Sequence, residues 1–244
     1  MRRKKIRHCL FSTIFKDFGT IYALLTLFPP LSYNEISTKR RNTILLVTRQ
    51  YERGRALAYA KRYAFSQNPI FGNFRGIGGN CTNFVSQCIY AGSCQMNYTQ
   101  TFGWYYISLE QRAPAWTGVE YFYNFLTENQ GLGPYGRAAT ADECEVGDVI
   151  QLGREEEGYY HTLIIVGFDG EDILVAAQTD DAYERRLSSY DFDYLRFIKI
   201  LGVRFSAPST SDCFYSVYDG IAIIPSSPLP MPPENQAPAT EPGG

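Results

Sequence analysis

One cysteine and one histidine stand where covalent chemistry could be done. Cys81 follows a loop rich in glycine, "RGIGGN", and opens the stretch "CTNFVSQCIYAG". There Phe84, Val85, Cys88 and Ile89 repeat at helical spacing and Gly92 offers an end signal. A thiol at a helix start sits beside unpaired backbone N–H groups and the positive end of the helix dipole, a setting that favours the nucleophilic thiolate form. Gly76, Gly78 and Gly79 allow close backbone approach to a substrate. The Cys81 N–H is a candidate oxyanion donor. Taken alone, the same position also suits a buried core thiol, because free cysteine is among the most buried residue types.

The chain has only two histidines, and His8 lies in the basic run "MRRKKIRH". Imidazole chemistry in a folded domain therefore falls to His161, in "EEEGYYHTLIIVG", where a polar segment enters an apolar strand. A base on a strand end can take a thiol proton and return it to a leaving amine. A surface histidine at a strand start is the plainer reading of His161 alone. Together the two residues form a Cys–His constellation. Pairing across the next hairpin sets His161 near residues 176–178, so Gln178 is the expected third catalytic group, with Asp180 the second choice. An ordinary amide at a strand end is the competing reading of Gln178.

Other chemistries are less well served. A net charge of −2 over 244 residues gives no general reason to expect nucleic-acid binding. The six cysteines include no CxxC pair, so no metal site and no cofactor are expected. Cys88, Cys94, Cys144 and Cys213 read as structural thiols. Gly79, Trp104 and Tyr160 are expected substrate-binding residues, with Tyr105, Tyr106 and Trp116 as further aromatic candidates, and core packing is the competing reading of Trp104, Tyr105, Tyr106 and Trp116. For Trp116 core packing is the stronger reading.

These residues need elements to hold them. Helical spacing marks "YERGRALAYAKRYAFS", through Ala56, Ala60, Tyr63 and Ala64, and "GVEYFYNFLTENQG", through Val119, Phe122, Phe125 and Leu126. "VGDVIQLG" reads as a strand, "YYHTLIIVGFDGEDILVAAQT" as two strands about Asp169–Gly170, and "YLRFIKILGVRF" as a last strand. Helices first and an antiparallel sheet after them indicate an α+β domain. Its expected limits are residues 51–224. Residues 1–50 form a basic and apolar leader, read as a signal or anchor or else as an amphipathic or disordered segment, with no firm sign of stable membrane insertion. Residues 225–244 form a Pro-rich disordered tail. Cytoplasmic and cell-envelope locations both remain open.

The stretches "YERGRALAYAKRYAFSQNPIF", "GGNCTNFVSQCIYAG", "PAWTGVEYFYNFL", "CEVGDVIQLG", "HTLIIVG" and "YLRFIKILGV" run in one order from Tyr51 to Val203. In these the chain resembles the bacterial amidase domain of the papain-like superfamily, related to NlpC-type and CHAP cell-wall peptidases. The resemblance implies a papain-like fold with Cys81 as nucleophile at a helix N-terminus and His161 as base. It also implies an amide-bond hydrolase acting through a thioester on a peptide or peptidoglycan. Two positions depart from the family pattern. Asn80 replaces an Asp usual before the cysteine, a position that the resemblance makes an expected substrate-binding residue, and Gln178 stands where a His is common. These departures keep a second reading open, a weakened domain that binds cell wall or peptide without cutting it.

Overall fold

The structure, a computed structural model, describes residues 45–207 and 212–223. Residues 1–44 of the expected leader and all of the expected tail, 225–244, lie outside the described residues. The described chain opens earlier than the expected boundary, because β1 (Leu46–Arg49) already pairs with the last strand. Four helices follow: α1 (Arg53–Tyr63), α2 (Cys81–Ser93), the short α3 (Pro114–Thr117) and α4 (Val119–Glu128). Next come β2 (Gly133–Ala139), β3 (Val149–Arg154), β4 (Gly158–Asp169), β5 (Asp172–Ala177), β6 (Ala182–Arg186) and β7 (Tyr194–Ser206). A short α5 (Phe214–Tyr218) closes the described part. The α+β order expected from the sequence is therefore observed. Among the described residues no helix is long and apolar enough to cross a membrane.

All seven strands pair antiparallel in the order β1-β7-β3-β4-β5-β6, with β2 also on β7. Alternation along each strand divides the side chains between two cores. Val149, Ile164, Ala176 and Ile198 face the helices and join the larger one. Ile150, Leu152, Leu163, Val175 and Ala177 build a second core on the opposite face, closed by Leu187.

The helix α2 departs from the one-faced pattern its sequence suggests. All 13 of its residues are buried. It is the central rod of the domain, packed against α1, α3, β4 and β5. Burying Phe84, Val85 and Ile89 contributes about 1.5–3 kcal/mol each. Gly92 is not its end signal. The helix runs on to Cys94, which takes the left-handed conformation at φ 50°. Gly92 is needed because a Cβ there would stand 2.5 Å from the Tyr51 ring and 3.0 Å from the Glu52 carbonyl.

Polar contacts lock the helices to the sheet. Arg53, at the start of α1, donates to Asp148 at 2.8 Å and to the carbonyls of Val146 and Ile200. Asp148 is fully buried and also accepts the N–H groups of Glu145 and Ile200, both at 2.9 Å. The "GD" before β3 is thus a structural joint that fixes α1 against β3 and β7. At the other side, Cys94 and Cys213 are joined in a disulfide 119 residues apart, which corrects their reading as two separate thiols. Cys88 and Cys144 are free and buried.

The disulfide ties the end of α2 to the segment leading into α5. In the chain-entropy account a crosslink of that span stabilises by up to about 5 kcal/mol. Urea unfolding with and without a reductant should show a loss of about 2–5 kcal/mol on reduction, and Cys94→Ser with Cys213→Ser should match the reduced protein. Superimposable oxidised and reduced curves would show that the crosslink carries no stability.

Candidate active site

Cys81 is the first residue of α2, and its N–H is one of the first-turn donors with no partner inside the helix. Gly76, Gly78 and Gly79, in the loop before it, have φ values of 82°, 112° and 95°, so the loop needs residues without a Cβ. His161 is the fourth residue of β4, opposite Leu152 of β3. One hydrogen bond holds the two segments in register. Thr82 Oγ1, next to Cys81, meets Thr162 Oγ1, next to His161, at 2.8 Å. Gln151 Nε2 also reaches Thr162 Oγ1 at 3.3 Å.

Adjacent strand residues point to opposite faces. Thr162 therefore meets α2, while His161 shares the other face with its partner Leu152. The β4–β5 ladder ends at Ile164–Ala176, so beside His161 the sheet gives way to the turn from Gln178 to Asp181. There the tip of α2 comes to the same cavity. A cavity of about 400 Å³ is lined by Gly78, Gly79, Cys81, Tyr160, His161 and Thr179, with Asp180, Arg185, Tyr190 and Asp191 among its other walls. Both Cys81 and His161 are mostly buried, at 6% and 7% exposure. The sulfur has one side-chain partner within hydrogen-bond range, Thr82 Oγ1 at 3.9 Å, and no bond joins it to the imidazole.

The imidazole lies between two tyrosines. Its ring centroid is 6.0 Å from that of Tyr160, nearly parallel at 15°, and 6.0 Å from that of Tyr190. The Tyr160 hydroxyl is anchored on the Asp191 carbonyl at 2.8 Å. Burial is the main cause that lowers the His161 pKa to about 4; Asp180 pulls it back up and Arg185 pushes it further down. Asp180 and Arg185 are themselves paired. The imidazole is thus neutral near pH 7, and the burial that keeps it neutral also makes it a weaker base. Between pH 6.5 and about 4 the unfolded chain binds a proton that the folded chain does not, so stability falls as pH drops through that window. A thiol and a neutral imidazole on one cavity are the parts that nucleophilic acyl transfer requires.

Three expected site residues are placed elsewhere. Gln178 does not turn toward His161. Continuing the β4–β5 register sets Gln178 across from Thr162, on the helix side, and His161 across from Thr179. The Gln178 amide N donates to the carbonyls of Tyr63 at 2.6 Å and Ser66 at 2.9 Å, and its oxygen accepts from Asn80. Asn80 is fully buried and lines no part of the cavity. Its oxygen accepts Phe74 N–H at 3.1 Å and Asn83 Nδ2 at 2.8 Å. Trp104 is fully buried too, donating to Ser86 Oγ at 3.0 Å and packed on Trp116 and Phe125. The sequence reading missed Thr179, Arg154, Arg185 and Tyr190. Thr179 is the most telling, since it holds φ 88°, unusual for a residue with a branched Cβ, and accepts Asn80 N–H at 2.5 Å.

Asn80 and Gln178 touch each other, so the two departures from the family pattern are one coupled pair. Asn80→Asp would set a buried carboxylate against the Gln178 oxygen, because Gln178 cannot turn without facing its own oxygen to two carbonyls. That variant should lose about 3 kcal/mol of stability in urea unfolding. Adding Gln178→His, which supplies a donor to the new carboxylate, should recover at least about 1 kcal/mol. Strictly additive effects would show that the pair is not coupled.

The chain is 34% identical over 146 residues, 58% of its length, to YhbB, an uncharacterized protein of Bacillus subtilis (strain 168). It spans about half of that relative, 46% of its length. No solved structure matches it. A family model described as "Putative amidase domain" matches residues 50–201, a stretch that holds Cys81, His161 and the whole sheet from β2 to the greater part of β7. The chain belongs to that amidase-domain family.

Proposed function

We propose that this amidase-family protein is a cysteine-dependent amidase or peptidase that hydrolyses an amide bond through a thioester. The observation that carries the reading is the shared cavity of Cys81 and His161. In the reaction, neutral His161 takes the Cys81 proton and the sulfur attacks the carbonyl carbon. The oxyanion forms beside the Cys81 N–H at the start of α2. Protonated His161 then gives its proton to the leaving amine, and the acyl group remains on sulfur. Water, deprotonated by the same imidazole, hydrolyses the thioester and restores the thiol. The sulfur and the imidazole are not hydrogen-bonded to each other, so the proton transfer requires them to approach, as catalytic hydrogen bonds often tighten in the reacting complex.

A helix that carries the nucleophile and packs on an antiparallel sheet that carries the base supports a papain-like arrangement. The substrate class proposed is a peptide, with peptidoglycan stem peptide first. The Cys94–Cys213 disulfide suits an oxidising location, in or beyond the cell envelope. One observation favours the second reading, a binding module without turnover. His161 Nε2 is buried and has no protein hydrogen-bond partner, so no side chain holds the ring as Gln178 was expected to.

A thiol-reactive electrophile should label Cys81, and both labelling and amine release from peptide substrates should fall at least about a hundredfold in Cys81→Ala and His161→Ala. The acid limb of kcat/KM should lie near 4, where His161 becomes neutral, rather than near 6.5. Labelling that persists in Cys81→Ala would sink the enzyme reading. Cell-wall sedimentation without any released amine would leave the binding module in its place.

A further inference from the structure

A second cavity, of about 460 Å³, lies at the far end of α2 and shares no residue with the first. Cys81 opens α2 and Asn97 follows its end, so the 13-residue helix separates the two by about 20 Å. One wall is a stripe on α4, where Tyr121, Asn124, Phe125 and Glu128 fall at helical spacing. The other wall is the loop from Asn97 to Trp104. Its base is closed by paired backbone bonds, Asn97 N–H to Trp104 O at 2.9 Å and Trp104 N–H to Asn97 O at 2.8 Å. The Trp104 indole buried below makes that base rigid.

The tip of the loop is strained, and the strain displays an aromatic ring. Phe102 N–H bonds back to the Gln100 carbonyl at 2.8 Å, and Thr101 between them holds φ 66°, a γ-turn of the rare left-handed kind. Gly103 is obligatory, because a Cβ there would stand 2.2 Å from the Thr99 carbonyl. Phe102 is left 82% exposed, and Tyr121 across the cavity 62% exposed. Large apolar side chains so exposed on both sides of one cavity mark a binding surface.

The polar lining defines the ligand. Asn97 and Asn129 are committed to the frame, since they bond each other and the Leu132 carbonyl. Among the described residues no side-chain hydrogen bond engages Asn124, Gln130, Thr99 or Thr101, all exposed. Amides and hydroxyls both donate and accept, as the hydroxyls of a sugar do. Aromatic rings cover the C–H face of a pyranose. Glu128, the one charged side chain in the lining, disfavours anions and can accept from a sugar hydroxyl. We propose that this cavity binds a neutral oligosaccharide, seated on Phe102 and Tyr121 and bonded by Asn124, Gln130 and Glu128. The site stands independently of the chemistry at Cys81. With that reading it makes the protein a two-point reader of a polymer that carries both sugar and peptide.

Calorimetric titration of the full chain with a β-1,4-linked N-acetylglucosamine tetramer and with cellotetraose tests it. At least one should bind. Affinity should fall about tenfold in Phe102→Ala and in Tyr121→Ala, and Cys81→Ala should bind as the parent does. Both aromatic rings are exposed, so circular dichroism should show the variants folded, and Asn124→Ala gives a third test without loss of apolar surface. Failure of both tetramers to bind at about 10 mM, or equal affinity in all three site variants, would overturn the proposal. Loss of binding in Cys81→Ala would place the sugar in the first cavity and overturn it as well.

Discussion

A chain of buried amides underlies the placement of Cys81. Trp116 Nε1 donates to Asn83 at 2.8 Å, Asn83 to Asn80 at 2.8 Å, Asn80 to Gln178, and Gln178 to the carbonyls at the end of α1. Every donor in the chain has an acceptor, and the directions are fixed at both ends, by an indole N–H that can only donate and by carbonyls that can only accept. α3, α2, the turn after β5 and the C-terminal end of α1 are thereby joined through one polar seam around the loop before Cys81. Because each amide is buried, breaking one link would strand its neighbours without water to replace them. The seam therefore specifies the loop geometry more sharply than the apolar core around it.

The seam also changes what Asn80 and Gln178 mean. At the sequence level they stood as two separate weakenings of an active site, one in substrate recognition and one in orienting the base. In space they are each other's partner, on the helix side of the sheet, and neither reaches the cavity. What flanks His161 instead is a layer of tyrosines with the Asp180–Arg185 pair nearby. This surrounding buries the imidazole enough to keep it neutral.

The periodic elements were legible because their burial is periodic. α1, α4, β3, β4, β5 and β7 fall where the apolar spacing set them. Edge and polar strands were not. β2 contains Gly133, Pro134 and Gly136, and β6 reads Ala-Tyr-Glu-Arg-Arg, so neither carries an apolar alternation. The partner of His161 was misjudged for a subtler reason. The hairpin turn gave the register to within one residue, but one residue decides the face of a strand. Thr179, Arg185 and Tyr190 lie in short turns and an edge strand whose roles depend on where α2 begins in space, and no local pattern records that.

The burial of α2 has a consequence for how such a site can evolve. The rod is held by the amide seam at its first turn and by a covalent link at its last, so the sulfur's position is effectively constant. The cavity walls opposite it come from a different source, the turns between Thr179 and Asp191 and the hairpin end at Arg154. Those segments are short and solvent-facing, and they take no part in the seam beyond Thr179. Wall residues can thus be exchanged, and the cavity reshaped, around an unmoving sulfur, with the fold itself insulated from the change.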